Sequence, residues 1–355
     1  MTKIRVLLVE DSLTVRARLR ELVEADPELD LAGEAEDGRR AIELCQALTP
    51  DVVSLDMNLP IMSGLAATEF IMAYCPTPML IVSSSFDRGE LYNTYDALAA
   101  GAVDVMEKPR GDEAEGIWER RYLATLKLVS RIRVITHPRG RLGNIGRRAV
   151  EPRPISWGPT EGRGRIIAMG ASTGGPGAIA EVLRGIPLGL GVPIVVVLHI
   201  DEPFADAFAQ WLGNSSPHRV SVPADGESVL SYAGRVVMPP PGRHLMIQGG
   251  RFRFDAGPLR HSCRPSIDVL FESIAREFGS SAVACLLTGM GRDGASGLLE
   301  VRKAGGSTIA QDEATSIVYG MPREAALLDA AASVLPLEQI GAAAARACRR
   351  AGGSS

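Results

Sequence analysis

The sequence lacks the usual features of a membrane, disulfide-stabilised or nucleic-acid-binding protein. No apolar stretch approaches the ~20 residues that cross a bilayer, and no signal peptide is evident. The formal net charge of −4 over 355 residues gives no general excess of basic side chains. Cysteines are few, without paired or metal-ligand spacing, and occupy positions 45, 75, 263, 285 and 348. We therefore expect a cytoplasmic protein with reduced thiols.

The length and one arginine-rich segment predict two domains. A chain of 355 residues is too long for one typical core. The segment from Arg131 to Arg165 is rich in arginine, glycine and proline and has no apolar period, which is typical of a linker. A basic run also suits nucleic acid, but a solvated linker is commoner and the whole chain is mildly acidic. The predicted limits are 1–125 for the first domain, 126–163 for the linker, 164–345 for the second domain and 346–355 for a tail.

A glycine-rich turn in the second domain presents a serine. The sequence GASTGGPGA, from Gly170 to Ala178, follows an apolar run and precedes a helical pattern. Gly170, Ser172 and Gly174 match G-x-S-x-G, in which a sharp strand-to-helix turn exposes the serine. Backbone N–H groups at the helix start could stabilise an oxyanion beside it. A tight turn or an anion-binding loop without chemistry is the alternative for so short a motif.

A serine nucleophile needs a base, and the best placed of the five histidines is His199. It ends the apolar, β-branched run 193–198, which predicts a buried parallel strand. Open α/β sheets place their sites at the carboxyl ends of such strands. Of the other histidines, His244 follows a turn and is predicted to open a strand, His218 and His261 occur in polar loop segments, and His137 lies in the linker.

Asp293 is the candidate to orient that base. A third buried strand, 282–287, runs into a loop with three glycines that contains Asp293. The alternative role for Asp293 is the N-cap of a helix starting near Ala295. Ser, His and Asp at three strand ends together indicate acyl transfer on a doubly wound sheet, in a chain order that differs from that of the α/β-hydrolases.

These segments resemble the chemotaxis protein-glutamate methylesterases. The motifs are GASTGGP, VLHI, RPSIDVLF, LLTGMGRDGASGL and AGGSTIAQDEATSIVYGMPREA, and the likeness covers essentially all of 164–345. Leu198 stands where that family usually has glutamine. The resemblance implies hydrolysis of glutamate methyl esters on chemoreceptor helices, and glutamine deamidation, without a cofactor.

The same resemblance assigns roles to individual residues. It implies that Ser172 is the nucleophile, His199 the general base and Asp293 its partner. The backbone N–H groups of Thr173 and Met290 match the positions of the oxyanion donors.

The first third of the chain alternates strands and amphipathic helices, with polar residues at the strand ends. Strands are predicted at 4–11, 51–56, 79–83 and 104–108, where the last strand ends in a lysine before proline. The order favours a flavodoxin-like sheet. Clustered carboxylates at its edge form an oxygen site suited to Mg²⁺, and with a lysine and a hydroxyl they would make a phospho-aspartate switch.

This pattern resembles a response-regulator receiver domain over about residues 1–125. The resemblance implies that Asp56 accepts the phosphoryl group from a chemotaxis-type histidine kinase. The predicted metal ligands are Glu10, Asp11, Asp56 and the carbonyl of Asn58, and the switch residues are Ser83 and Lys108. Val105 stands where many receivers carry an aromatic residue. The resemblance also implies that the unphosphorylated receiver covers the esterase site.

The sequence thus predicts a flavodoxin-like receiver domain followed by a doubly wound parallel-sheet serine hydrolase domain, both of the α/β class. The predicted function is phosphorylation-activated demethylation of chemoreceptors. One alternative is a non-catalytic response regulator whose output domain binds protein or nucleic acid, although no helix-turn-helix pattern is present. Another is a nucleotide-binding oxidoreductase that uses the Gly170 loop, which is disfavoured because that loop is not G-x-G-x-x-G and no acidic residue follows about 20 residues on.

Overall fold

The computed structural model describes residues 3–84, 88–109, 116–132, 134, 164–200 and 202–350. The chain divides into two compact units, Met1–Arg148 and Ala149–Ser355. Most of the predicted linker, 126–163, and the end of the predicted tail, 346–355, lie outside the described residues.

Two of the predicted limits, 125 and 345, fall inside helices. The helix that ends the first unit's described part runs to Val129, beyond the limit at 125. The final helix runs to Arg350, beyond the limit at 345. The reason is burial, because Leu126 and Val129 in the first helix and Cys348 in the second are fully buried. Apolar residues at helical spacing therefore continue each helix past the predicted limit.

The first unit is a five-stranded parallel sheet flanked by helices. The sheet order is β2-β1-β3-β4-β5, the flavodoxin-like order. The strands are β1 Ile4–Val9, β2 Leu29–Ala35, β3 Val52–Leu55, β4 Met79–Ser83 and β5 Asp104–Glu107. The helices are α1 Leu13–Ala25, α2 Gly38–Leu48, α3 Gly64–Tyr74, α4 Arg88–Ala100 and α5 Ile117–Val129. Ser12, Asp37 and Ser63 cap the first three helices with their side chains.

The second unit contains a seven-stranded sheet and a separate hairpin. The sheet order is β14-β13-β12-β6-β7-β9-β8, and every pairing in it is parallel. The strands are β6 Ile166–Ala171, β7 Ile194–Leu198, β8 Arg219–Ser221, β9 Arg235–Val237, β10 His244–Gln248, β11 Arg251–Asp255, β12 Ala282–Leu286, β13 Ser307–Gln311 and β14 Ser333–Leu335. The helices are α6 Gly175–Arg184, α7 Glu202–Ser215, α8 Ile267–Phe278, α9 Ala295–Lys303, α10 Met321–Leu327 and α11 Leu337–Arg350. Strands β10 and β11 form the antiparallel hairpin.

The centre of this sheet is fully buried, which explains its continuous apolar strands. Every residue of β6, β7 and β12 is buried, as expected for parallel strands covered on both faces. The chain leaves β6 on one side towards β7 and later returns to the other side as β12. This reversal of direction is where open α/β sheets bind their ligands, outside the carboxyl ends of the strands.

The structure confirms the predicted α/β class and parallel sheets. Among the described helices, none combines the length and the apolar character needed to span a bilayer.

Candidate active site

Ser172 lies in the turn between β6 and α6. Its N–H donates to the carbonyl of Thr288 at 3.0 Å, and its own carbonyl accepts from Gly175 at 2.6 Å. The turn requires glycine at position 174, which has φ +76° and where a Cβ would lie 2.6 Å from the side chain of Ile317. The serine is therefore held at the carboxyl edge of the central strand, next to the first turn of a helix.

His199 follows the neighbouring strand and lies in register with Ser172. The pairing of β6 with β7 ends at Ala171 and Leu198, and the His199 N–H donates to the Ala171 carbonyl at 3.0 Å. The His199 side chain is 12% exposed, and its Nε2 lies 2.8 Å from Oδ2 of Asp293. The sheet thus brings together a histidine and a carboxylate that are 94 residues apart in sequence.

Asp293 does not cap the helix that follows it. The N-cap of α9 is Gly294, which makes no side-chain capping bond. Instead the buried Asp293 carboxylate accepts from the N–H groups of Ile267 at 2.7 Å and Asp268 at 3.2 Å. The N-cap alternative for Asp293 at α9 is therefore wrong, because φ +88° at Gly294 turns the chain there and the Asp293 carboxylate instead meets the first turn of α8.

These contacts fix both the charge and the position of Asp293. Burial alone would raise its pKa, but the hydrogen bond with His199, the charge of that residue and the donors from α8 outweigh burial and lower the pKa. The hydroxyl of Ser266, the N-cap of α8, also donates to Oδ1 at 2.7 Å. Asp293 is therefore an ionised acceptor, and the helix N-terminus adds to its stabilisation.

The contact with Asp293 determines which nitrogen of His199 can act as a base. In the neutral imidazole, Nε2 carries the proton donated to Asp293, and Nδ1 keeps the lone pair. Burial disfavours the charged form, but the hydrogen bonds with Asp293 and Cys263 raise the pKa of His199 to about 9. The surroundings of His199 therefore favour the imidazolium that a general base becomes.

The described residues include no hydrogen bond between the Ser172 hydroxyl and His199. The hydrogen-bond partner of Nδ1 is instead the thiol of Cys263, with Sγ at 3.6 Å. In free hydrolases the catalytic hydrogen bonds are often long and tighten only when substrate binds. Cys263 was not predicted as a site residue, since nothing in its sequence neighbourhood links it to a histidine 64 positions away.

The two predicted oxyanion donors lie on loops joined by Thr288. The Thr288 hydroxyl donates to the Thr173 carbonyl at 3.0 Å and accepts from the Val318 N–H at 2.9 Å. Met290 is 57% exposed, and its backbone N–H donates no hydrogen bond to another described residue. Sequence reasoning missed this role of the buried Thr288, although it lies in one of the motifs quoted above.

A second glycine brings these loops together. A Cβ at Gly289 would lie 2.6 Å from Cβ of Ser172, which only glycine avoids. The loop after β12 therefore lies directly against the serine, with Met290 as the next residue.

The receiver-like unit has its own cluster at the carboxyl edge of its sheet. Lys108 Nζ lies 2.8 Å from Oδ2 of Asp56 and 2.8 Å from Oε2 of Glu10. Burial and the nearby Asp56 charge raise the pKa of Glu10 despite the hydrogen bond from Lys108. Burial lowers the Lys108 pKa, but its hydrogen bonds to the two carboxylates outweigh that effect and raise it.

The remaining predicted receiver residues surround this cluster. Carboxylate oxygens of Glu10, Asp11 and Asp56 lie within 4.8 Å of one another, an oxygen set that could hold a divalent cation. The Asn58 N–H lies 3.3 Å from Oδ1 of Asp56. Ser83 is buried at the end of β4, and its carbonyl accepts from the Lys108 N–H at 2.9 Å. Val105 is half-buried in β5.

The comparisons with known proteins agree with this two-part arrangement. The family model for the CheB methylesterase matches residues 167–344, and the model for the response regulator receiver domain matches residues 6–115. Protein-glutamate methylesterase/protein-glutamine glutaminase 2 of Pseudomonas aeruginosa is 42% identical, over 98% of this chain and 98% of the relative.

Two further similarities cover the whole chain and its second half. Protein-glutamate methylesterase/protein-glutamine glutaminase 4 of Myxococcus xanthus is 39% identical, over 99% of this chain and 98% of the relative. The crystal structure of the Thermotoga maritima CheB methylesterase catalytic domain is 34% identical, with a TM-score of 0.49, over 52% of this chain and 98% of that domain. From the family models and from the identity over nearly its full length, this chain belongs to the protein-glutamate methylesterase/protein-glutamine glutaminase family.

Proposed function

We propose that this protein is a phosphorylation-activated hydrolase that demethylates glutamate methyl esters on the cytoplasmic helices of chemoreceptors and also deamidates glutamine side chains there. The observation that carries the proposal is the His199–Asp293 hydrogen bond of 2.8 Å, formed at the sheet edge where Ser172 emerges. Relatives that match nearly the whole chain are named for both activities. A cytoplasmic substrate implies a cytoplasmic enzyme.

In the first step the Ser172 hydroxyl attacks the ester carbonyl. Nδ1 of His199 takes the hydroxyl proton, and the fixed carboxylate of Asp293 stabilises the imidazolium that forms. Asp293 stays ionised throughout, because four donors hold it.

The negative charge that develops on the carbonyl oxygen is stabilised by backbone N–H groups. We assign this role to Thr173 and Met290, whose loops converge on Ser172 through Thr288 and Gly289. Such donors stabilise the transition state because they are already oriented before the reaction.

Collapse of the intermediate releases methanol, which takes its proton from His199. Water then attacks the acyl-enzyme, with His199 again as the base, and restores Ser172 and a free glutamate. An amide substrate follows the same path and releases ammonia, which accounts for both activities at one site.

The proposal for the first unit is a phospho-aspartate switch at Asp56. Glu10, Asp11, Asp56 and the carbonyl of Asn58 would hold Mg²⁺, which supplies charge neutralisation for phosphoryl transfer. Lys108 already contacts Asp56 and would contact the phosphoryl oxygens, together with the hydroxyl of Ser83. The phosphodonor would be a chemotaxis-type histidine kinase.

Phosphorylation would control the esterase by relieving inhibition by the receiver. Such control needs only a phosphorylation-dependent preference for the active arrangement. The absence of an aromatic residue at Val105 means that this switch would not use an aromatic rotamer in that position.

The test is methanol release from a methylated receptor fragment by the full-length protein, supplied with Mg²⁺ and a small phosphodonor such as acetyl phosphate. The account predicts methanol release, and none from the same fragment without methyl esters. Binding of the fragment without methanol release would instead support the non-catalytic response regulator.

A further inference from the structure

One side chain at the esterase site has no part in the proposed reaction, namely that of Cys263. It lies on a tight turn between β11 and α8, in which Arg260 and Cys263 exchange two backbone hydrogen bonds of 3.1 and 2.8 Å. The two residues between them, His261 and Ser262, both have positive φ. A bidentate ion pair of Arg260 with Glu272 on α8 fixes the turn.

The turn places three ligand-type side chains together. His199, Cys263 and Asp293 offer nitrogen, sulfur and oxygen atoms within 4.8 Å of one another. Among the described residues, Cys263 is the one cysteine in such a group. All five cysteines are described, so every thiol of the chain was compared in this respect.

We propose that Cys263 Sγ and His199 Nδ1 form an inhibitory binding site for Zn²⁺ at the esterase centre. In tetrahedral zinc sites the Zn–S and Zn–N bonds place sulfur and nitrogen about 3.5 Å apart. The Sγ–Nδ1 distance here is 3.6 Å. The two atoms therefore already have the spacing of two zinc ligands.

The surroundings of Cys263 and His199 also suit a zinc ion. Zinc-bound histidines usually donate their second N–H to a carboxylate, which orients the ring and strengthens the metal bond. His199 makes this contact, from Nε2 to Oδ2 of the buried Asp293. Sulfur and imidazole ligands select Zn²⁺ over Mg²⁺, which prefers oxygen.

The Cys263 thiol has two polar neighbours at hydrogen-bonding distance. Sγ lies 3.3 Å from the carbonyl of His261 as well as 3.6 Å from Nδ1 of His199. When His199 is neutral, one thiol proton serves two acceptors. A cation bound between Sγ and Nδ1 displaces the thiol proton to solvent and occupies the lone pair of Nδ1.

Inhibition follows directly from the proposed function, on which this part of the inference rests. Nδ1 is the atom that takes the Ser172 proton, and a metal ion bound there removes the base. Cys263 and His199 are both half-buried, so the ion can reach them from solvent.

The first test compares zinc inhibition of methanol release by the full-length protein and its variants. Assays contain excess Mg²⁺ so that the carboxylates of the receiver are occupied. Each variant is compared with its own rate without zinc. Loss of one ligand should raise the half-inhibitory zinc concentration at least about tenfold in Cys263→Ala and Cys263→Ser.

Cys75→Ala is the matched control, since Cys75 is also half-buried but lies in the receiver unit, outside the metal-ligating groups. It should keep the wild-type inhibition curve, and a chelator should restore activity. Equal zinc inhibition of the wild type and both Cys263 variants would overturn the proposal.

The second test does not depend on hydrolysis. Co²⁺ added to the wild type and to Cys75→Ala should give a thiolate-to-cobalt charge-transfer band, which both Cys263 variants should lack. A band without esterase activity would support the metal site and contradict the proposed function. An active esterase without the band and without zinc sensitivity would support the proposed function and contradict the metal site.

Discussion

The two units place their functional side chains at the same kind of sheet edge but fix them in different ways. In the receiver unit, the ammonium group of Lys108 forms ion pairs with the carboxylates of both Glu10 and Asp56. In the methylesterase unit, one carboxylate, that of Asp293, is held by His199 and by three donors at the start of α8.

The difference matches the tasks proposed for the two edges. Ion pairs between side chains can exchange partners when a phosphoryl group adds charge. A carboxylate held by a helix N-terminus and a hydroxyl keeps its position while the reaction proceeds. We infer that the ion pairs at the receiver sheet edge rearrange on phosphorylation, whereas the contacts of Asp293 at the esterase sheet edge stay fixed during the reaction.

The largest expected difference between the two units follows loss of the nucleophile. Ser172→Ala should lower the rate of methanol release by a factor on the order of 10⁴–10⁶, since removing one member of a triad removes most of its contribution. Phosphorylation of Asp56 should be unchanged, because Ser172 lies in the methylesterase unit and Asp56 in the receiver unit. Methanol release and phosphoprotein formation measured on the same preparation check both claims. Near-normal esterase activity would show that another residue attacks the ester.

The next effect concerns the fixed carboxylate. Asp293→Asn should lower kcat by a factor on the order of 10³–10⁴, because the neutral amide no longer stabilises the imidazolium of His199. Its NH2 group also cannot accept the hydrogen bonds that one of the two carboxylate oxygens accepts, which are those of His199 and Ile267 on Oδ2 or those of Ser266 and Asp268 on Oδ1. The variant should also lower the free energy of unfolding by about 1–3 kcal/mol, since a buried N–H of α8 loses its acceptor. Steady-state kinetics and urea denaturation measure the two losses.

Ser266→Ala is the matched control for that variant. It removes the cap of α8 and one donor to Asp293 but leaves the contact between His199 and Asp293 intact. We expect a stability loss of about 1 kcal/mol with far smaller kinetic damage. Equal kinetic losses in the two variants would contradict a direct role of Asp293 in orienting His199.

A smaller effect tests the sheet edge of the receiver unit, where phosphorylation of Asp56 is expected to change the contacts. With Mg²⁺ and a small phosphodonor the wild type should gain activity, whereas Asp56→Asn should stay at the basal rate. A gain of about tenfold corresponds to only ~1.4 kcal/mol of differential stabilisation. A fragment starting at Gly164 should exceed the unphosphorylated full-length protein. A fragment no faster than that protein would exclude inhibition by the receiver.

The smallest predicted effect is a pH dependence of stability in the methylesterase unit, away from both edges. His218 is buried, and burial lowers its pKa although two carbonyls face its Nε2. Below the unfolded pKa of about 6.5 the unfolded chain binds the extra proton first, so stability falls as pH falls. Urea denaturation from pH 7.5 to 5 should show a steeper loss for the wild type than for His218→Gln. Identical slopes would contradict a neutral buried His218.

Much of the fold was predictable because its signals are local. The apolar runs of β6, β7 and β12 predicted buried parallel strands, and the structure confirms the α/β class. The family and its activity followed from long motifs and are supported by the family models and relatives. The roles of individual residues and the domain limits stay predictions.

The parts that sequence reasoning missed depend on contacts between distant segments. Asp293 meets α8 because Gly294 turns the chain, and the cap of α8 lies 27 residues earlier. Thr288 connects the Thr173 loop with the Val318 loop across 115 and 30 residues. Cys263 reaches His199 through a turn with two positive φ angles at non-glycine residues, for which the sequence gives no signal.

The central claim is that the edge at Ser172 hydrolyses glutamate methyl esters. Its most direct test is the site-resolved mass of a methylated receptor fragment after incubation with the phosphorylated full-length protein. The account predicts that each methylated glutamate loses the mass of one CH₂ group, and that Ser172→Ala leaves the masses unchanged. Unchanged masses after incubation with the folded, phosphorylated wild type would contradict this claim. An equal loss of mass with Ser172→Ala would contradict it as well.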